Sequence, residues 1–156
     1  MFRTGPLFFL MCLGLLETPT VQAEQAFLRG SCEMDFPEAM VHLQESIRHY
    51  GYTVSRVQHV DKGLRKRGYT TEAYKVVFFG KPAEIDQLRR DFPVLIPFIP
   101  LSITIMTEGR QTIVSAMVPG RLSQIIHDFK AQIFFRRWQQ HVEQIVQRYA
   151  DCQVNT

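Results

Sequence analysis

The side chains best suited to chemistry in this sequence are few, and they are cations beside aromatic rings. Lys75, Phe79 and Lys81 fall on and just beyond one short apolar run, Ala73 to Phe79, and Pro97 and Phe98 belong to an apolar, proline-rich segment soon after it. An aromatic wall with one or two ammonium groups suits a small anionic or lipid-like amphiphile, so these five are the candidate ligand-binding residues. Each also has a plainer role, the rings as core and the lysines as solvated strand ends. His42, Glu45 and His49 share one side of a helix at i, i+3 and i+7, spacing that could hold a surface metal; solvation explains them as well, and no metal is assigned. The sequence has no GxSxG, HExxH, Walker or dinucleotide-binding glycine pattern. No catalytic residue and no cofactor is therefore assigned, because no nucleophile and base can be paired.

The cysteines and the first residues set the compartment. Met1 to Ala23 has Arg3 in a positive start, an uncharged run from Leu7 to Leu16 and a small residue, Ala23, at its end, the pattern of a secretory signal peptide cleaved near Ala23. The run is shorter than the roughly 20 apolar residues that span a bilayer. The expected product is a periplasmic or secreted protein with a single domain, residues 24–156. In an oxidising compartment Cys32 and Cys152 are expected to form a disulfide that pins the last helix to the first strand. The net charge of +3 is ordinary for a soluble protein and offers no footprint for nucleic acid.

These residues need elements to position them, and the organising stretch is Phe92 to Val118. Pro93, Pro97 and Pro100 remove backbone donors, so Val94 to Ile99 reads as an apolar loop rather than a central strand. Leu101, Ile103 and Ile105 alternate with Ser102 and Thr104 as a half-buried strand, and a turn at Glu108-Gly109-Arg110 leads to a second strand, Thr112 to Val118. Upstream, Ala26 to Met34 reads as a first strand. A helix from Phe36 or Pro37 to Tyr50 follows, with Asp35 as N-cap and Gly51 as C′ residue. Tyr52 to Val60 is the next strand, with Val54 and Arg56 on one face and Thr53, Ser55 and Val57 on the other. The basic stretch from Asp61 to Tyr69 is a loop or short helix. Ala73 to Phe79, apolar on both faces, belongs inside a covered sheet, and Pro82 to Arg90 is a short helix. The fold class is α+β, a mainly antiparallel sheet covered by helices.

The last segment, Arg121 to Asp151, has neither proline nor glycine, so one helix of about 31 residues is expected. Its apolar face changes side along the way. Leu122, Ile125, Ile126, Phe129 and Ile133 form one stripe, whereas Phe135, Trp138, Val142, Ile145, Val146 and Tyr149 lie on the opposite side. Three explanations are open: a bend near Ile133 to Phe135, a homodimer whose interface is Phe135, Trp138, Val142, Ile145 and Tyr149, or contact of that half with a membrane surface.

The order helix, Gly51-Tyr52, strand, basic loop, Phe79-Gly80-Lys81-Pro82, short helix, Ile99-Pro100-Leu101, hairpin and closing helix is similar to the domain-of-unknown-function family 302, over about Met34 to His141. The resemblance implies a compact α+β fold, often dimeric, with no settled activity. Some members carry cysteines where this chain has Gly80 and Leu101, so thiol or metal chemistry does not carry over, and Lys81 replaces the usual turn asparagine. The expected function is an exported, homodimeric, non-enzymatic binding or interaction module. The alternative is an enzyme or carrier acting on a small anionic or lipid-like molecule.

Overall fold

The computed structural model describes residues 26–152, so the expected signal peptide lies outside the described residues. Five strands form one antiparallel sheet in the order β1-β5-β4-β3-β2. They are β1 (Phe27–Cys32), β2 (Thr53–His59), β3 (Tyr74–Gly80), β4 (Leu101–Glu108) and β5 (Gln111–Met117). The helices are α1 (Phe36–His49), α2 (Val60–Arg65), α3 (Pro82–Asp91) and α4 (Phe129–Ala150). The chain is α+β with a long C-terminal helix, as its sequence suggests.

Local chemistry accounts for most boundaries. Gly51, at φ 75°, and Gly109, at φ 60°, take the left-handed backbone that ends α1 and turns β4 into β5. Asp35 holds the N-cap position of α1 with extended backbone but makes no side-chain cap. The proline-rich segment winds into 3-10 geometry over Pro93–Phe98 instead of remaining an irregular loop. In β2 the register shifts between Val54 and Arg56. This bulge corrects the expected alternation: Val54 and Val57 both pack against the core, and Arg56 is exposed.

α1 and α4 lie on the face of the sheet that carries Val77, Phe79, Ile103, Ile105 and Val114. β1 runs close beneath α4, because a Cβ on Gly30 would stand 3.0 Å from the Val146 carbonyl oxygen. Cys32, at the end of β1, is joined to Cys152, just after α4. A second core cluster lies beyond the end of the sheet, where Leu88, Leu95, Leu122, Ala131, Phe134, Phe135 and Trp138 bring α3, the 3-10 segments Pro93–Phe98 and Pro119–Gln124 and the start of α4 together.

The expected helix from Arg121 is two pieces. Residues Pro119–Gln124 form a 3-10 turn, and α4 begins afresh after Asp128, whose Oδ1 accepts from the N–H groups of Lys130 at 2.8 Å and Ala131 at 3.0 Å. This break, earlier than the expected bend, separates Leu122 and Ile126, which belong with the second core cluster, from α4, whose buried face runs from Ala131 to Tyr149 and leaves Phe129 and Ile133 on its outer side. The consequence reverses the expected interface. Phe135, Trp138, Val142, Ile145 and Tyr149 are at most 2% exposed and fill the chain's own core. Such burial contributes about 1.5–3 kcal/mol per large apolar side chain, so these five are not an external surface. Of the earlier stripe, Leu122 is buried and Ile126 packs against the second core cluster, while Ile125 is 71%, Phe129 73% and Ile133 46% exposed.

Candidate functional site

The β2–β3 register determines which residues meet. Thr53 pairs with Gly80, so the residues just beyond, Tyr52 and Lys81, face one another. The Lys81 Nζ stands 4.6 Å from the centre of the Tyr52 ring, a cation–π contact. Gly51 lies directly against this contact, and a Cβ there would meet the Lys81 nitrogen at 3.7 Å, an ordinary contact. Phe79, wholly buried, meets the Tyr52 ring edge-on at 5.3 Å.

α3 and α4 bring the remaining groups. Glu84, on the first turn of α3, has a side chain only 11% exposed; it pairs with Arg137 and accepts from the Trp138 indole Nε1 at 2.9 Å. The Arg137 guanidinium also lies 5.0 Å over the Phe134 ring. One turn further, His141 Nδ1 is 2.9 Å from the Tyr52 hydroxyl. Burial raises the Tyr52 phenol above the ordinary tyrosine range, and Glu84 adds to this against an opposing effect of Arg137. Burial, and then the charges of Lys81 and Arg137, hold the His141 imidazole below the ordinary value of 6.5. The phenol therefore stays protonated and shares a hydrogen bond with a neutral imidazole.

Outside this polar cluster runs a trough between α3 and α4. Its larger part, about 890 Å³, has walls of Phe92, Phe129, Ile133 and Phe134, with Asp91, Asp128 and Lys130 at one end and Gln87 and Arg137 at the other. A depression of about 290 Å³ between Lys81, Glu84, Gln87 and Arg137 continues it. Among the described residues, no carboxylate stands within ion-pair distance of Lys81. The trough thus has aromatic and aliphatic walls between two charged ends, Lys81 and Arg137 with Glu84 at one and Lys130 with Asp91 and Asp128 at the other.

The five candidate ligand residues are not one site. Lys81 joins the cluster and Phe79 supports it from the core. Lys75, six residues before Lys81 and so about 20 Å away along an extended strand, has its Nζ 4.9 Å over the Phe36 ring. Pro97 and Phe98 lie in the 3-10 segment, with Phe98 against the second core cluster. His42 packs its ring 5.6 Å from Tyr149, and His49 packs edge-on to Tyr50 at 5.0 Å. Among the described residues, no cluster of three His, Cys, Asp or Glu side chains is arranged to hold a metal. Sequence reasoning missed Tyr52, Glu84, Arg137 and His141. The signal available for Tyr52 was its position directly after Gly51, opposite the Phe79-Gly80-Lys81 turn.

Comparison with known proteins gives a family and a fold. Residues 29–149 match the family described as domain of unknown function DUF302. A crystal structure of an uncharacterized conserved DUF302 protein from Bacillus stearothermophilus is similar at a TM-score of 0.71 and 15% identity, covering 78% of this chain and 96% of that one. At that identity the likeness speaks for the fold alone. No curated protein matches the chain.

Proposed function

We propose, from the premise that this chain belongs to the DUF302 family, that it is an exported, non-enzymatic binding module that takes a small amphiphilic anion in the trough between α3 and α4. The observation that carries the reading is the trough itself, an apolar channel of about 890 Å³ that ends at Arg137 and continues toward Lys81. An apolar tail would lie along Phe92, Phe129, Ile133 and Phe134. The anionic head would lie at the Lys81–Arg137 end, away from Asp91 and Asp128. Glu84 orients Arg137, while the Tyr52–His141 pair backs Lys81 and keeps a neutral, hydrogen-bonded floor. Burial keeps the Tyr52 phenol protonated, so that it serves this floor as a neutral hydrogen-bonding group.

Trp138 is the only tryptophan in the chain and hydrogen-bonds Glu84 beside the site. Titration of the protein with dodecanoate, followed by tryptophan fluorescence, should give a saturable change at one ligand per chain. Lys81→Ala with Arg137→Ala should weaken binding about tenfold or more, because each cation loses a charge-assisted contact. A linear response without saturation, or a double variant that binds as well as the parent, would overturn the reading. The Cys32–Cys152 disulfide supports export; N-terminal sequencing of the protein recovered from its producing cell should begin near Glu24.

A second reading, homodimerisation, is favoured by the outer face of the sheet. Tyr74, Val76, Phe78 and Met106 are only half-buried there and run as an apolar band across β3 and β4. Sedimentation of the parent and of Val76→Lys checks it: a dimer that becomes monomer on substitution supports that face, and a parent that is monomeric at all concentrations rejects it.

A further inference from the structure

One group in the polar cluster behind the trough titrates between neutral and mildly acid pH. His141 follows Arg137 by four residues on α4, so the two side chains are neighbours on one helical face. Tyr52 meets the imidazole through the 2.9 Å contact at Nδ1, and the Lys81 Nζ stands 4.6 Å from the centre of that same phenol ring. The end of α1 adds Tyr50, its ring stacked 6.2 Å from the imidazole, with His49 edge-on to Tyr50 at 5.0 Å. From α3 comes Glu84, but that carboxylate is already paired with Arg137 and with the Trp138 indole. Among the described residues, an imidazolium at position 141 therefore meets two cations, Lys81 and Arg137, and one committed carboxylate, Glu84. Burial first, and then those two cations, accordingly hold the imidazole below its ordinary 6.5, with Glu84 opposing them.

We infer that His141 couples the trough to the proton: it takes up a proton when an amphiphilic anion seats its head between Lys81 and Arg137, so the site holds that ligand more tightly in mildly acid than in neutral surroundings. This coupling rests on the trough reading and adds a regulation to it. The charge balance around the imidazole drives the coupling. Without ligand, two cations oppose protonation against one carboxylate; with the head seated, the ligand's charge joins Glu84 and the balance is restored. The packing of the ring between Tyr50, Tyr52 and α4 is common to both states. A group whose proton affinity rises on binding makes binding tighter as pH falls, across the interval between its free and bound midpoints. The hydrogen bond accommodates the change. Both nitrogens of an imidazolium donate, so Nδ1–H donates to the Tyr52 oxygen, and the phenol, which burial keeps protonated, accepts with a lone pair.

The test uses decanesulfonate, whose head keeps its charge across this range, titrated into the full chain at about pH 7.5 and about pH 5.5, either side of the ordinary histidine value. Tryptophan fluorescence is the readout. The parent should bind at least about threefold more tightly at the lower pH, the ratio expected if binding raises the proton affinity of one imidazole about threefold. In His141→Gln, which keeps every other histidine, the ratio should fall to about one. Proton NMR of the parent reads the coupling without a variant: the His141 ring signal should titrate at higher pH in the saturated protein than in the free one. Three results would each overturn the coupling: equal affinity of the parent at both pH values, a pH dependence that His141→Gln retains, or a ring midpoint that the ligand leaves unmoved. If binding is nonetheless saturable and needs Lys81 and Arg137, the trough reading stands without it. Absence of decanesulfonate binding at either pH overturns both.

Discussion

Replacing both half-cystines, Cys32→Ser with Cys152→Ser, tests how the last helix is held. The bridge joins positions 120 residues apart, almost the full span of the described fold. In the chain-entropy account, a loop of that length restricts the unfolded ensemble enough to stabilise the fold by roughly 5 kcal/mol. That is a large share of the 5–15 kcal/mol typical of a whole domain. The two ends also converge through packing, with Gly30 against Val146 and Ala150, so the variant should still fold, with α4 anchored at its other end by Phe135 and Trp138. Equilibrium urea unfolding is the assay. With a slope near 2 kcal/mol/M, the midpoint should fall by roughly 2–3 M, while a thiol count of the parent should find neither cysteine free. A loss below about 1 kcal/mol would refute the reasoning, since the bridge would then not be constraining the unfolded chain as the loop length requires.

Three further outcomes are expected. Gly30→Val should destabilise by about 1–3 kcal/mol in the same urea assay, because its side chain must displace the Val146 carbonyl or Ala150; an unchanged midpoint would show that β1 does not lie so close beneath α4. Glu84→Ala should cost about 1–3 kcal/mol, since the buried Trp138 indole N–H loses its acceptor, and the tryptophan emission should shift with it. The folded state keeps His141 neutral below the ordinary 6.5, so as pH falls past that value the unfolded chain takes up a proton that the folded chain resists. The thermal midpoint should therefore be level above that pH and decline below it, with a gentler decline in His141→Gln; identical profiles would remove His141 as the cause.

Much of the architecture was legible because local chemistry and global packing agree. The hairpin announces itself through Gly109, the first helix through its apolar stripe and Gly51, and the disulfide through two isolated cysteines near the two ends of the fold. The last helix was misread because neither proline nor glycine interrupts Arg121 to Asp151, and the stop comes instead from Asp128 capping a new start. The helix that starts there buries Phe135, Trp138, Val142, Ile145 and Tyr149 in the chain's own core and leaves Phe129 and Ile133 exposed, with Ile125 exposed just before it. The bulge in β2 was illegible for a related reason: alternation is lost when one residue is added to a strand. At the site, Lys81 stood out by its place after the turn. Glu84, Arg137 and His141 did not, because their meeting depends on how α3 and α4 pack, and no spacing in the chain records it.

The most direct test of the trough as a binding site is native mass spectrometry of the protein taken from the cells that make it, without added ligand. The account predicts a mature chain carrying a reproducible adduct with the mass of a small acidic amphiphile, released by Arg137→Ala with Lys81→Ala. A chain that carries nothing, or an adduct equally retained by that double variant, would contradict it.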